Sequence, residues 1–371
     1  MNSSATKNHM KSEAGYSYTF PAVRGVQAGQ SFYIAMCPAR IVPRILSFDE
    51  EDVPPQLRAQ RLLNRGRVPE IANYLIDNPE SYVLSALTAS VDGRVSFESV
   101  SKSGSEANMG MLSIPMDAQI LINDGQHRRA AIEEAIKQRP EFGQENIPIL
   151  FFIDQGLKRS QQMFADLNKY AIRPSASLGT LYDHRDPSSE LARYVAMSIE
   201  PYIDLTELEK TSVSHRSNKL FTLSSIKHAT RALLQKGSKD EISKEETRIA
   251  ARYWEYVGKN MPDWGLVKER KLTAPELRQQ FIHTHGIVLH SLGVVGAHLL
   301  STKPKGWEKE LKKLSQVDWR RSNTSLWEGR AMIHGRISKA RSNILLTANV
   351  IKHTLGLELT AEEQVLEDQL K

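Results

Sequence analysis

The sequence has almost no cysteine and no long apolar run, and each absence excludes a class of protein. Its single cysteine, Cys37, leaves no partner for an internal disulfide and too few thiolates for a Cys-based zinc site. One cysteine is also typical of a chain that works in the reducing cytoplasm. No stretch approaches the ~18 consecutive apolar residues of a transmembrane helix. The polar residues 1–15 contain no apolar signal-peptide core, so we predict a disordered tail there.

Signatures of metal and nucleotide chemistry are scarce as well. The sequence has no Walker-type phosphate loop. Its clustered histidines, His283, His285, His290 and His298, do not follow a metal-ligand spacing, because positions 285 and 290 miss the i+4 interval of a helix face. We therefore predict no metal site and no cofactor, and we leave open whether a nucleotide binds.

Length and charge predict two domains and a polyanionic partner. A chain of 371 residues that is 40% hydrophobic and 25% charged is typical of a globular protein of about two domains. Residues 1–154 hold 15 basic and 18 acidic side chains, whereas residues 215–353 hold 26 basic and 12 acidic ones, a net charge of +14. Such a segment either binds a polyanion or forms a well-solvated helical surface.

The most informative stretch runs from Ala118 to Ile136. Residues 118–122 are apolar apart from Gln119 and include the β-branched Ile120 and Ile122, which predicts a buried strand. Asn123, Asp124 and Gly125 are turn residues, and either of the first two could cap the helix that follows. That helix is expected to run from Gln126 until Pro140 stops it.

Two side chains at the start of this helix are predicted to point inward. His127 and Arg128 continue the apolar stripe of the helix, whereas Arg129 is expected on the outer face in a solvated pair with Glu133. Free amide groups, the positive end of the helix dipole and Gly125 make this corner suitable for a phosphate. The alternative is that the pair binds a carboxylate of its own chain and braces the fold.

Residues 16–180 are predicted to form an α/β domain with a mixed sheet. Expected strands include Ser31–Met36 as the first, Tyr82–Ala89 with Val95–Val100 as a hairpin, and Ile147–Ile153. A helix over Lys158–Ala171 would turn Asn168 toward the packed side. A buried amide needs hydrogen-bond partners, so Asn168 either holds the Asp124 turn or contacts the ligand.

Two further features of this domain have less specific interpretations. Arg58, Arg61 and Arg65 recur at helical spacing, which predicts a basic helix face that is either solvated or in contact with phosphates. Cys37 has no neighbouring His or Lys in sequence, so we interpret it as a small buried side chain rather than a nucleophile.

Residues 181–371 are predicted to form a basic, mostly α-helical domain. Phe221–Leu234 is one helix, with Lys227 and Arg231 available on its outer face, and Pro275–Leu300 is expected to be the long core helix. The densest basic segment is interleaved with two tryptophans and suits contacts to DNA phosphates. Its predicted contacts are Arg320, Arg321, Arg330, Arg336, Lys339 and Arg341. We find no convincing helix-turn-helix motif, so the element that contacts DNA stays open.

The run from Asp124 to Arg128, continued by Ala131, resembles a known family signature. Asp-Gly-Gln-His-Arg is the motif of the DndB family of bacterial DNA sulfur-modification proteins. More distantly it is similar to the Gly-x-His-Arg-x-x-Ala box of the ParB and sulfiredoxin superfamily, in which this corner holds a nucleotide phosphate. That similarity implies a ParB-like first domain. Sulfiredoxins carry a reactive Cys where this chain has Gln126, which argues against thiol chemistry.

The resemblance implies a DNA-binding transcriptional regulator, a repressor, of a DNA phosphorothioation gene cluster. Its expected partner is double-stranded DNA of its own promoter region, with other phosphorothioation proteins and a second copy of the chain as further candidates. The expected location is the cytoplasm, at the nucleoid. Two alternatives stay open: a ParB-like nucleotide-hydrolysing enzyme or nuclease that uses the corner, and a scaffold that does not bind DNA. Hydrolysis usually needs a general base or paired metal-holding carboxylates, and Asp124 is the one carboxylate in the motif.

Overall fold

The computed structural model describes residues 16–46, 66–154, 162–163, 166–167, 174–238 and 240–370. Internal contacts divide the chain into two compact units, Met1–Ile172 and Arg173–Lys371. The predicted helix over Lys158–Ala171 lies largely outside the described residues, and Asn168 does so entirely. The same holds for Arg58, Arg61 and Arg65. No helix in the described ranges is both long and apolar enough to cross a membrane.

The first unit is built on a mixed seven-stranded sheet, which confirms the predicted α/β class. Its order is β4-β5-β1-β2-β7-β3-β6, and the described ladders are antiparallel except for the parallel pair of β3 and β7. The strands are β1 (Ser17–Gln27), β2 (Gln30–Pro38), β3 (Leu87–Asp92), β4 (Ser96–Ser99), β5 (Met109–Pro115), β6 (Gln119–Asp124) and β7 (Asn146–Asp154). The helices are α1 (Val42–Ile45), α2 (Arg67–Asp77) and α3 (Gln126–Gln138), with 3₁₀ turns at Ser105–Asn108 and Pro140–Gln144.

The core of this unit lies along the central strands. Residues 87–91 of β3 are all buried, as expected for an interior strand with neighbours on both sides. Helices α2 and α3 pack against each other. Cys37 is fully buried in β2, and burial raises the pKa of its thiol to about 12. Burial keeps this thiol protonated at neutral pH, which agrees with the interpretation from sequence as a small buried side chain.

Two details of the strand predictions for this unit are wrong. Ser31–Met36 is a strand as predicted and lies within β2, but it is not the first strand, because β1 precedes it. Pro21 and the mostly exposed residues of β1 hid that strand from the sequence pattern. Tyr82–Ala89 and Val95–Val100 do not form a hairpin, because β3 begins at Leu87 and pairs with β6 and β7 while β4 pairs with β5. The turn residues after β3 do not determine its pairing, because β3 forms hydrogen-bonded ladders with β6 on one edge and β7 on the other.

The second unit is mostly helical, as predicted. Its helices are α4 (Ala176–Tyr182), α5 (Pro187–Ser198), α6 (Leu223–Leu234), α7 (Lys244–Lys259), α8 (Pro262–Lys268), α9 (Ala274–Gln280), α10 (Gly286–Thr302), α11 (Trp307–Leu311), α12 (Thr324–Trp327), α13 (Arg341–Leu355) and α14 (Ala361–Leu370). Short strands pair as β8 (Thr206–Glu207) with β9 (Phe221–Thr222) and as β10 (Met332–Ile333) with β11 (Arg336–Ile337). The predicted boundary near residue 180 falls within α4, whose Ser177 hydroxyl bonds that of Ser224 in this unit.

Helix α10 is the centre of the second unit. Ten of its residues are buried, and it packs against α6 and α13. Two aromatic residues of this core satisfy their polar groups by specific bonds: the Tyr253 hydroxyl donates to the Leu292 carbonyl at 2.6 Å, and the Trp254 indole donates to Thr230 at 3.0 Å. A helix that is apolar almost all round is expected at such a position.

The prediction of one helix over Pro275–Leu300 is wrong. The chain leaves α9 after Gln280, runs extended at Phe281 and re-enters a helix only at Gly286. Phe281 forms a β-bridge with Arg320, and the Ile282 amide donates to the Trp319 carbonyl at 2.9 Å. These tertiary bonds replace helical ones, and they bring the start of the basic segment beside the N-terminus of α10.

Candidate anion-binding site

The predicted corner forms where β6 passes directly into α3. Gly125 is the N-cap residue, with φ of 104°, and no side chain caps the helix, so the prediction of an Asn or Asp cap is wrong. A Cβ atom at this position would overlap the Leu87 Cδ2 atom and lie 3.2 Å from Arg128 Nη2. Glycine is therefore needed both for the left-handed backbone and for the close approach of two side chains.

Arg128 is bound within its own unit. Its Nη2 donates to Asp124 Oδ2 at 2.7 Å, and its Nη1 donates to the Ser85 carbonyl at 2.9 Å, to the Ser85 hydroxyl and to the Ala86 carbonyl at 3.2 Å. These bonds join the start of α3 to the segment that leads into β3. Of the two interpretations left open by the sequence, this geometry favours the brace for Arg128.

Arg129 does not lie on a solvated outer face as predicted. It does pair with Glu133 at 2.6 Å, but its side chain is only 16% exposed, the same fraction as Arg128. Its Nε donates to the Leu46 carbonyl at 3.0 Å and its Nη2 to the Pro43 carbonyl at 2.7 Å. The helix wheel misplaced Arg129 because the segment around α1 packs against α3 and covers this face.

The remaining groups of the corner are half-buried. Burial, followed by the charge of Arg67, lowers the pKa of His127, so the imidazole is neutral over more of the pH range than an isolated one. Gln126 Nε2 donates to the Ile122 carbonyl at 3.5 Å, a long bond. Phosphate binding by His127 and Gln126 stays a prediction.

Sequence analysis missed the buried amide of this corner. Asn123, assigned from sequence to a turn or a helix cap, is fully buried and donates to the Ser90 hydroxyl at 2.5 Å and to Met163 Sδ at 3.2 Å. The signal was its position directly after a continuous apolar strand. Its bond to Ser90 links the end of β6 to β3.

Half of the predicted DNA contacts in the second unit form ion pairs there. The pairs are Arg320–Asp318 at 2.8 Å, Arg330–Glu367 at 2.6 Å, Arg341–Glu362 at 3.3 Å and Lys227–Asp186 at 2.5 Å. Lys227 is therefore not available on an outer face as predicted. Arg330 is likewise partly buried, and its partner Glu367 is nearly inaccessible, so this pair fastens α14 to the unit. Arg320 holds the pKa of Asp318 well below its usual range.

The other predicted contacts have no ion pair with a described carboxylate. Arg231 donates through Nε to the Lys236 carbonyl at 3.3 Å, beyond the end of α6. Arg321 donates through Nη2 to the Gly335 carbonyl at 2.9 Å, which ties it to the turn between β10 and β11. Arg336 and Lys339 are exposed on and just after β11. The unneutralised charge of the basic segment is therefore concentrated at this hairpin.

The hairpin of β10 and β11 has a tight, exposed turn. His334 and Gly335 both have positive φ, 52° and 70°, as in the two-residue turns that suit twisted strands. Ile333, His334, Gly335 and Arg336 are all exposed. Glu328 also lies at the turn, where its carboxylate accepts hydrogen bonds from the His334 and Gly335 amides. It fixes the turn conformation.

Comparison with known proteins gives a match to a family model. The family model DndB, described as DNA-sulfur modification-associated, matches residues 20–358, so the match spans nearly the whole chain and both units. No curated protein and no solved structure matches. The matched range contains the Gly125 corner and the basic hairpin alike. The chain therefore belongs to the DndB family of DNA-sulfur modification-associated proteins.

Proposed function

We propose that this protein is a DNA-binding transcriptional regulator, a repressor, of a DNA phosphorothioation gene cluster. Membership of the DndB family implies involvement in DNA phosphorothioation systems. The net charge of +14 over residues 215–353 supports a polyanion as the partner. Double-stranded DNA of the promoter region is the principal partner in this proposal, and other proteins of the same systems are secondary ones.

The observation that carries the proposal is the clustering of unpaired cations at one exposed hairpin. Arg321, Arg336 and Lys339 have no ion pair with a described carboxylate, and the Arg321–Gly335 bond holds the first of them against the turn. A two-stranded ribbon fits the major groove of B-DNA, and exposed Arg and Lys bind phosphate oxygens. In this proposal the hairpin of β10 and β11 is the element that contacts DNA.

The test measures promoter binding at several salt concentrations. Replacing Arg321, Arg336 and Lys339 together by Gln is expected to weaken binding of a labelled promoter fragment. The log–log salt slope should become shallower by about 0.9 for each DNA phosphate that the variant no longer neutralises. Fluorescence anisotropy on the full chain gives both quantities.

The matched control is Arg248→Gln, because Arg248 is 79% exposed, lies on α7 and already pairs with Glu245. It removes a positive charge from another part of the unit and should leave the slope unchanged. A folded triple variant with the wild-type affinity and slope would refute the hairpin as the DNA-binding element. Absence of promoter binding by the wild-type protein would instead favour the scaffold alternative.

A further inference from the structure

A cavity of about 400 Å³ lies in the second unit, beside but distinct from the hairpin turn. Its walls come from the loop 211–215, the start of α6, helix α9, the break before α10, and two side chains of the basic segment. The lining includes Ser212, Thr222, Ser225, Arg278, Thr284, Gly286, Arg321 and Lys339. The volume is in the range of small-molecule sites, about 300–1,000 Å³.

The charge of the lining is entirely positive. Arg278, Arg321 and Lys339 line the cavity, and no Asp or Glu is among its described lining residues. Arg278 is the fixed point, because its guanidinium donates to the Ser214 and His215 carbonyls at 2.9 and 3.0 Å and further to those of Ser217 and Lys219. These bonds hold the 211–219 loop in place and leave the arginine charge without a counter-ion among the described residues.

Helix α10 begins at the cavity with unsatisfied amide groups. Its N-cap residue, His285, makes no side-chain cap, and the amides of Gly286 and Ile287 donate to no described acceptor. A Cβ atom at Gly286 would lie 2.6 Å from Ser225 Oγ and 3.2 Å from Lys339 Nζ. Glycine therefore allows a hydroxyl and an ammonium group to approach the start of a 17-residue helix.

A second, independent observation is an unsatisfied hydroxyl in the cavity wall. Thr284 is 2% exposed and lines the cavity, and its Oγ1 has no hydrogen-bond partner among the described residues. A buried hydroxyl without a partner carries a free-energy penalty that the fold normally avoids. A ligand oxygen that accepts a hydrogen bond from Thr284 would remove that penalty.

We propose that this cavity binds a small phosphomonoester, with its phosphate between Lys339, Arg321 and the start of α10. Arg321, Lys339, the helix amides and the Thr284 hydroxyl can donate to a tetrahedral dianion, and no carboxylate among the described lining residues competes for them. Arg278, whose terminal nitrogens bond backbone carbonyls, adds positive charge. The lining also includes the apolar residues Val213, Leu220, Phe221 and Pro275, which would contact the organic part of the ligand. The site shares Arg321 and Lys339 with the proposed DNA-binding element, whereas Thr284 and the start of α10 belong to the cavity and not to the hairpin.

Calorimetric titration of the full chain in phosphate- and sulfate-free buffer tests the proposal. The probes are inorganic phosphate, the nucleoside 5′-monophosphates and the matching nucleosides. Monophosphates are expected to bind more tightly than inorganic phosphate, and nucleosides without phosphate are expected not to bind. If neither phosphate nor any monophosphate binds, the proposal is overturned.

Two pairs of variants locate the binding. Thr284→Val removes the hydroxyl at nearly constant shape and should weaken binding tenfold or more, whereas Thr284→Ser keeps it and should restore binding. Lys339→Gln should also weaken binding about tenfold, whereas Lys305→Gln removes an exposed charge of the same unit outside the cavity and should have no effect. Equal affinities in all four variants, each with a cooperative melting transition, would overturn the proposal.

A duplex without terminal phosphates distinguishes the source of the phosphate. If the duplex competes with monophosphate binding, and Thr284→Val weakens the binding of both by the same factor, the cavity holds a backbone phosphate. The small-molecule proposal then fails. If Thr284→Val abolishes monophosphate binding but leaves duplex binding unchanged, the cavity is a ligand site of its own. Because Thr284→Val changes no charge, its outcome does not depend on whether the hairpin binds DNA.

Discussion

Replacement of Arg128 by Ala is expected to destabilise the first unit rather than to impair ligand binding. The variant lacks the bonds to Asp124, to Ser85 and to the Ala86 carbonyl. Asp124 is 47% exposed, so its ion pair contributes at most about 1 kcal/mol. The charge-assisted bonds to the backbone carbonyls contribute about 1.5–3 kcal/mol, less what water restores at the exposed Ser85.

The net destabilisation is about 2–3 kcal/mol of unfolding free energy. For a unit of this size, each kcal/mol lowers the melting temperature by about 2–4 °C, so a fall of about 4–12 °C is expected in differential scanning calorimetry. Arg128→Lys keeps the charge but not the planar fork of donors, so it should recover only a small part of this stability. Arg94→Ala removes an exposed arginine from the same unit and serves as the control.

The opposite pattern would refute this reasoning. An Arg128→Ala protein that melts within a degree of the wild type but no longer binds phosphate or promoter DNA would show that the guanidinium serves a ligand. The bonds to Ser85 and Asp124 would then be a resting arrangement that the ligand displaces.

Two further predictions concern the second unit. Lys352 and Glu363 form an ion pair whose side chains are 2% and 5% exposed. Lys352→Met leaves the Glu363 carboxylate without its ion-pair partner and should lower the free energy of unfolding, measured in urea, by about 3–5 kcal/mol. The double variant with Glu363→Leu should recover most of this loss, and a double variant no more stable than Lys352→Met would contradict the reasoning. Burial, with the charges of Arg321 and Lys339, lowers the pKa of His285 to about 4. In the unfolded chain His285 has a pKa of about 6.5, so it takes up a proton at a higher pH than in the folded protein. The free energy of unfolding is therefore unaffected by this group above pH 6.5 and falls by up to about 3 kcal/mol as the pH declines toward 4. The urea midpoint of His285→Gln should vary less with pH over that window than the midpoint of the wild type. An equal pH dependence in the two proteins would disprove the lowered pKa of His285.

The sequence by itself determined the elements whose signals are local. The β-branched run that became β7, and the helix α3 that ends before Pro140, follow from periodicity and from a proline that cannot continue a helix. The division into an α/β unit and a basic helical unit follows from composition in the same way. These features depend on neighbours in sequence, so no knowledge of distant residues was needed.

The tertiary structure decided which partners the polar groups found. Arg129 was placed outside because the helix wheel cannot know that the Pro43 and Leu46 carbonyls cover that face. Arg330 pairs with Glu367, which lies 37 positions away on α14, so the sequence pattern could not indicate this partner. Charge counting sums formal charges, whereas the available charge depends on which of them meet a counter-ion.

The cavity is the clearest case of a feature decided by long-range interactions. The apolar pattern of Pro275–Leu300 is continuous, yet bonds from Gln280 and Ile282 to the 319–321 segment interrupt the helix. The interruption creates the uncapped start of α10 and buries the hydroxyl of Thr284. Helix propensity is worth less than about 1 kcal/mol per residue, so a few tertiary hydrogen bonds suffice to override it, and their partners cannot be seen in a local window.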